Sequence, residues 1–360
     1  MNRRNGKIEF FRFFFTICVI LYHCQRHYLD GIVYLEQFSF FGKGYIGVEF
    51  FFLVTGFLMA KSVCKKENEF ILPTDLGRET VLFVWKKVKA ILPYHFAAYG
   101  LIFIITAIYK KQSVGQVAER IFGSLPGLFL FDKTGFNFGY YNRVEWYITC
   151  MIFALMILYP ICRKYYSMYV CVIAPVGGMF LLGYLMQNYG TLVGGGVSNW
   201  NGFCFVSVLR ALAEISLGAT CYEISRLISG MTLSKGKKIM LTVLENICFL
   251  FVCIFAVSTL DSKYEIYAVI ALGITISLTF TGVTYGSDVF DNKLNYFLGE
   301  SSLMLYLSQV LPLDMVKALF ADCSGYTKTI LMVLFTIVNA MACKVIGDLF
   351  LRIMVKLKKI

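Results

Sequence analysis

Residues 8–28 read IEFFRFFFTICVILYHCQRHY, an almost unbroken apolar run, and nine more runs of similar character follow it. About 20 apolar residues suffice to cross the hydrocarbon of a bilayer as a helix, which satisfies its own backbone polar groups there. The pattern predicts an all-α fold, a polytopic transmembrane bundle of about ten spans, formed by a single membrane domain over residues 1–360. The expected spans are 8–28, 42–63, 81–109, 143–162, 168–187, 203–228, 239–260, 264–285, 295–320 and 326–355. Composition agrees: 58% of residues are hydrophobic and 16% charged, where a soluble domain is about 25% charged. The first run follows MNRRNGK and lacks a small-residue cleavage site, so it is expected to stay as a span.

Basic clusters orient the bundle. Arg3, Arg4 and Lys7, then Lys61, Lys65, Lys66 and Arg78, Arg163 and Lys164, Arg226 and Lys235 to Lys238, and Arg352 to Lys359 fall on one side if both termini are cytoplasmic. The net charge of +12 is then a topology signal, and no nucleic-acid partner is expected. The exception is 110–142, which carries Lys110, Lys111, Arg120 and Lys133 on the outer side around an apolar stretch. It is expected to be a re-entrant or interfacial segment. The twelve cysteines contain no C-x-x-C pair and lie mostly inside apolar runs. They read as small buried hydrophobes, and neither a disulfide framework nor a metal site is expected.

Ionisable residues within the apolar runs are the functional candidates, because a charge in the bilayer is costly. Arg12 and His23 stand eleven residues apart. At 100° per residue that is only about 20° past three turns, so one helix face carries both, about 16 Å apart. His23 in the outer part of the span could act as general base. Arg12 is either a snorkelling residue or a fixed cation at the inner mouth of a cavity. Glu49 sits among apolar residues in the second run, where it is expected to be paired or protonated. Gly44, Gly47 and Gly56 in the same run suit close helix approach. Lys86, Lys87 and Lys89 form a basic cluster at the cytoplasmic interface, suited to anionic lipid or to a polyanionic cytosolic ligand. Arg143, Glu145, Trp146 and Tyr147 either line an outward polar pocket or anchor a helix end. His95 reads as structural.

These residues resemble the acyltransferase 3 family, the integral-membrane O-acyltransferases of bacteria. Arg12 and His23 match its Arg-x10-His signature, and GYIGVEFFFLVTGFLMA, 44–60, is similar to its Gly-Val-Asp/Glu segment, with Thr55 where Ser is usual. The basic run before Pro93-Tyr94, the Trp146-led segment, 209–225 and 298–309 resemble later family segments. There are departures. Met151 stands where the family has a Glu, Gln309 where a His is often seen, and Ala90 at one candidate position of a family Arg.

The resemblance implies a multi-pass protein of the bacterial cytoplasmic membrane that moves an acyl group, usually acetyl, from cytosolic acyl-CoA to a hydroxyl. The acceptor it implies is a cell-surface or exported polysaccharide, a glycan precursor or a glycolipid, with polysaccharide-biosynthesis proteins as possible partners and acetyl-CoA as co-substrate rather than bound cofactor. In that scheme His23, Arg12 and Glu49 are the catalytic set. Lys86, Lys87 and Lys89 meet the CoA phosphates, and Arg143, Glu145, Trp146 and Tyr147 the acceptor. The alternative is a transporter or flippase of a sugar or lipid-linked precursor, with Arg12 and Glu49 as substrate or proton sites.

Overall fold

The computed structural model describes residues 5–30, 33–35, 37–69, 75–134, 142–193 and 199–357. The helices are α1 (Gly6–Tyr28), α2 (Ile46–Asn68), α3 (Leu76–Tyr109), α4 (Val114–Leu128), α5 (Trp146–Lys164), α6 (Tyr166–Met168), α7 (Ala174–Tyr189), α8 (Val206–Ser229), α9 (Lys235–Ala256), α10 (Glu265–Thr281), α11 (Ser287–Phe290), α12 (Lys293–Ser308), α13 (Val310–Leu319) and α14 (Gly325–Leu357). A π-helical turn, Tyr169–Ile173, joins α6 to α7. A two-stranded antiparallel ribbon, Val33–Leu35 with Phe38–Ser39, decorates the first connection.

Eight of the described helical segments are long and apolar enough to cross a membrane. The chain is a multi-pass helical membrane protein. The two expected spans outside that set have physical reasons. Helix α8 carries Arg210, Glu214, Glu223 and Arg226 and buries most of its surface within the bundle. The 295–320 segment is broken at Gln309 into α12 and α13. Pro312 is the cause: it has no N–H to give the carbonyl four residues back, and its ring crowds that carbonyl. The Ser308 carbonyl so released accepts instead from Asn339 Nδ2 at 2.8 Å.

The connection expected to be re-entrant or interfacial, 110–142, is described as far as Thr134, and residues 135–141 lie outside the described residues. Ser113 caps α4 in a reciprocal pair with Gln116. Helix α4 then folds back along α3. Arg120 donates to the Phe103 carbonyl at 3.5 Å, Ser124 O accepts from Tyr99 Oη at 2.8 Å, and Leu128 O from His95 Nε2 at 3.0 Å. Each step of four residues on α4 is matched by four on α3 in the opposite sense.

At the centre, α2 lies along α8, the most extensive helix pair. A Cβ on Gly56 would collide with the Ile215 carbonyl, and one on Gly218 with the Leu53 carbonyl, so the two backbones touch. Phenylalanines fill the space beside them: Phe11 stacks on Phe249 and Phe15 on Phe50, each at 4.6 Å, and Phe57 on Phe280 at 4.0 Å. This packing fixes α1, α2 and α8 around the polar residues that follow.

Candidate active site

A cavity of about 810 Å³ opens at the end of the bundle where α1 finishes and α2, α5 and α10 begin. Tyr22, His23, Arg26 and His27 reach it from α1, and their i, i+1, i+4, i+5 spacing puts them on one face. Arg143 reaches it from the 3-10 turn before α5, Trp146 from the start of α5, Arg210 from α8, and Glu265 from α10. Tyr306 and Val310 reach it from either side of the α12–α13 break.

His23 is held by Gln309, whose Oε1 lies 2.8 Å from its Nδ1. The direction of that bond follows from the other end of the amide. Gln309 Nε2 lies 2.9 Å from the Tyr306 carbonyl, which can only accept. So the Nε2 is the NH₂, the Oε1 faces the imidazole, and His23 Nδ1 must carry the proton. A neutral His23 then has its lone pair on Nε2, which has no hydrogen-bond partner among the described residues. The helix break built by Pro312 is what turns Gln309, fully buried, toward α1.

Glu49 does not stand free. Its Oε1 lies 2.6 Å from Arg210, and Arg210 Nε donates to Glu214 Oε1 at 3.1 Å. All three are buried. Arg210 also sits over the Trp146 ring at 5.6 Å. One guanidinium between two carboxylates can stay ionised without water, as an isolated charge could not. The paired reading of Glu49 is the one observed, and Glu49 reaches the cavity only through Arg210. A second polar knot closes the cavity wall: Glu265 accepts from Tyr45 Oη, Thr191 Oγ1 and Leu192 N, with Lys43 Nζ at 3.9 Å.

Arg12 does not line this cavity. It lies inward on α1 and pairs with Glu9 Oε2 at 3.7 Å. Lys87 and Tyr147 lie within electrostatic reach of Arg12. Of the three lysines, Lys86 and Lys89 are exposed, and Lys89 packs over Trp85 at 5.3 Å. Lys87 has Arg12 and Lys86 as neighbouring charges. Tyr147 packs on Phe52 at 4.6 Å and on Tyr306 at 5.8 Å, between the Arg12 region and the outer cavity. Met151, where the family carries a Glu, lies with its sulfur 3.8 Å from Thr55 Oγ1.

The outward group of four expected acceptor residues therefore splits. Arg143 and Trp146 line the cavity, whereas Tyr147 and Glu145 do not. The reason is the 3-10 turn Arg143–Glu145, which rotates successive side chains by about 120°. Glu145 is turned to the far side, with its Oε1 3.3 Å from His95 Nδ1, both side chains fully buried. His95 Nε2 donates to Leu128 O. Its Nδ1 and the Glu145 oxygen are then two acceptors facing each other, and one proton must lie between them. That pair joins α3, α4 and α5, in keeping with a structural His95.

Residues that sequence reasoning passed over are Glu9, Arg210, Glu214 and Glu265. Arg210 and Glu214 carried a signal, an i,i+4 pair of opposite charge inside an apolar run, and so did Glu9, three residues before Arg12. Nothing in the sequence pairs Glu49 with Arg210.

No curated protein and no solved structure matches this chain. The acyltransferase domain family matches residues 5–347, nearly its whole length. With the Arg12–His23 face of α1 at the head of that match, this chain belongs to the acyltransferase 3 family and is a membrane acyltransferase.

Proposed function

We propose that the protein transfers an acyl group, acetyl in the simplest case, from cytosolic acyl-CoA to a hydroxyl of an exported polysaccharide, glycan precursor or glycolipid. The observation that carries this reading is His23: its Nδ1–H is pinned by Gln309 at 2.8 Å, and the ring lines a cavity large enough for sugar units. A base held in one tautomer at the wall of such a cavity suits proton abstraction from an acceptor hydroxyl.

In the direct route the acceptor O–H gives its proton to His23 Nε2 as its oxygen attacks the thioester carbonyl carbon. The C–O bond forms, the C–S bond breaks, and the imidazolium returns the proton to the leaving thiolate. In the covalent route the same Nε2 carries the acyl group between donor and acceptor. Arg12 and Lys87, with Tyr147 beside them, form the inner part of the path and suit the polar, anionic arm of the donor. Lys86 and Lys89 remain exposed at the entrance, where phosphates can be met as point charges. Arg143 and Trp146 are the acceptor-side contacts, and Glu49 acts through Arg210 as a positioning residue. The protein works in the bacterial cytoplasmic membrane alongside enzymes that build the glycan.

The test is a His23→Ala variant in cells, with glycan acetyl content read by NMR, together with thiol release from acetyl-CoA by purified protein. Loss of both at unchanged protein level is expected. Unchanged acetylation sinks the assignment, and movement of a labelled precursor across vesicles without thiol release favours a transporter.

A further inference from the structure

The cavity carries more positive charge than its internal pairing uses. Among the described residues, four cations line it, Arg26, Lys43, Arg143 and Arg210, against the one carboxylate of Glu265. Two of the four are committed. Arg210 lies between Glu49 and Glu214, and Lys43 faces Glu265. Among the described residues Arg143 pairs only with Asp314, at the rim, where both side chains are about half exposed to solvent. An exposed pair of that kind contributes little and exchanges readily with another anion. Arg26 has no carboxylate partner among the described residues, and its side chain donates to the Tyr22 phenol at 3.2 Å.

Position makes these two arginines informative. Arg26 is three residues beyond His23 on α1, so it stands on the same face one turn further out. Arg143 reaches the cavity from the turn before α5. Both act electrostatically on His23 and on His27, and Lys317 joins them at His27 with Asp314 as the one opposing charge. A cation in a last helical turn complements the helix dipole, but that would be served as well by a side chain facing headgroups. Nor does the positive-inside rule account for them, since basic residues gather on the cytoplasmic side and the orientation expected from the charge pattern puts this mouth on the other.

We propose that the acceptor carries an anionic group, a carboxylate or a phosphate, seated between Arg26 and Arg143 one helical turn outward of the hydroxyl that meets His23. This rests on the acyl-transfer reading for the role of His23 but not for the anion site itself. Two guanidinium forks converging on one oxyanion give it orientation as well as affinity. The anion displaces Asp314 from Arg143 and takes the open donors of Arg26. The acceptor hydroxyl is thereby placed at a fixed reach from Nε2, and neutral glycans lose that anchor.

The test is equilibrium binding by the full chain in nanodiscs at low salt, which needs no acyl donor and no turnover. The probes are an oligosaccharide ending in glucuronate, the same oligosaccharide with its carboxyl reduced to an alcohol, and glycerol phosphate as competitor. The wild type is expected to favour the acidic probe over the reduced one by at least about tenfold, the worth of one charge-assisted hydrogen bond. That preference is expected to collapse in Arg26→Gln and Arg143→Gln and to persist in part in Arg26→Lys. Displacement by glycerol phosphate alone assigns the anion to a phosphate-linked acceptor, and preference for glucuronate alone to an acidic sugar. Equal binding of acidic and reduced probes with no competition by phosphate overturns the proposal, as does a preference that survives Arg26→Gln and Arg143→Gln. Failure of acyl transfer with this binding pattern intact would instead count against the catalytic reading.

Discussion

His23 and Gln309, 286 residues apart in the chain, meet at 2.8 Å across the break between α12 and α13. The contact is neutral on both sides, so it sets orientation without adding charge to the base. It also explains how a chain with Gln in place of a family His can still hold the imidazole: an amide whose NH₂ is taken by the Tyr306 carbonyl offers only an acceptor.

Gln309→Leu removes that acceptor and leaves Nδ1–H unsatisfied and the ring free to rotate. Acyl transfer is expected to fall about 100-fold in kcat, the scale of loss for a misaligned reacting group, with acceptor KM little changed. Gln309→His, which can again present a lone pair, is expected to recover much of the rate. Steady-state kinetics on purified protein check both, and a Gln309→Leu enzyme of wild-type kcat would remove the positioning role.

Glu49, Arg210 and Glu214 respond unequally to substitution because the arginine is shared. Glu49→Gln leaves Arg210 paired with Glu214 at 3.1 Å. Arg210→Leu leaves two buried carboxylates facing one another, and breaking a buried pair this way costs about 3–5 kcal/mol. Thermal unfolding in detergent is expected to drop far more for Arg210→Leu than for Glu49→Gln. Equal losses would mean that Glu49 carries the cluster by itself.

How much of this was legible beforehand depends on range. Apolar run length identified eight of the ten expected spans, because the bilayer imposes that length locally. The 110–142 connection stood out as basic residues that break an otherwise regular charge pattern, but the packing of α4 back along α3 was not readable from them. The Arg12–His23 face was legible from helical periodicity alone. What was not legible lies between helices distant in sequence: Arg210 beside Glu49, Gln309 beside His23, Glu145 turned to His95. The last is instructive, since Arg143, Glu145 and Trp146 are adjacent in sequence, yet a single 3-10 turn sends Glu145 away from the cavity that the other two line.

Gly56 and Gly218 set the distance between α2 and α8. Since the colliding atoms are the backbone carbonyls of Ile215 and Leu53, no rotamer change can relieve an added methyl. Gly56→Ala or Gly218→Ala is expected to cost about 1–3 kcal/mol by overpacking and to pull Arg210 off Glu49. Thermal unfolding and the yield of monodisperse protein measure this. Normal stability in both variants would show that the helices can separate without loss.

Glu145 separates a structural from a binding role by choice of substituent. Its Oε1 faces His95 Nδ1 at 3.3 Å, where one proton must sit between two acceptors. In Glu145→Gln the amide NH₂ supplies that proton, so stability is expected to stay close to wild type. In Glu145→Leu the buried imidazole nitrogen has no partner, which costs about 1–3 kcal/mol. Neither change touches the cavity, so acceptor KM is expected to hold in both. Trp146→Ala, by contrast, strips a wall of the cavity and the ring beneath Arg210, and is expected to raise acceptor KM severalfold. Unfolding curves and acceptor titrations on the three variants distinguish these outcomes. A KM increase in Glu145→Gln to match that of Trp146→Ala would return Glu145 to the acceptor surface and make the His95 contact secondary.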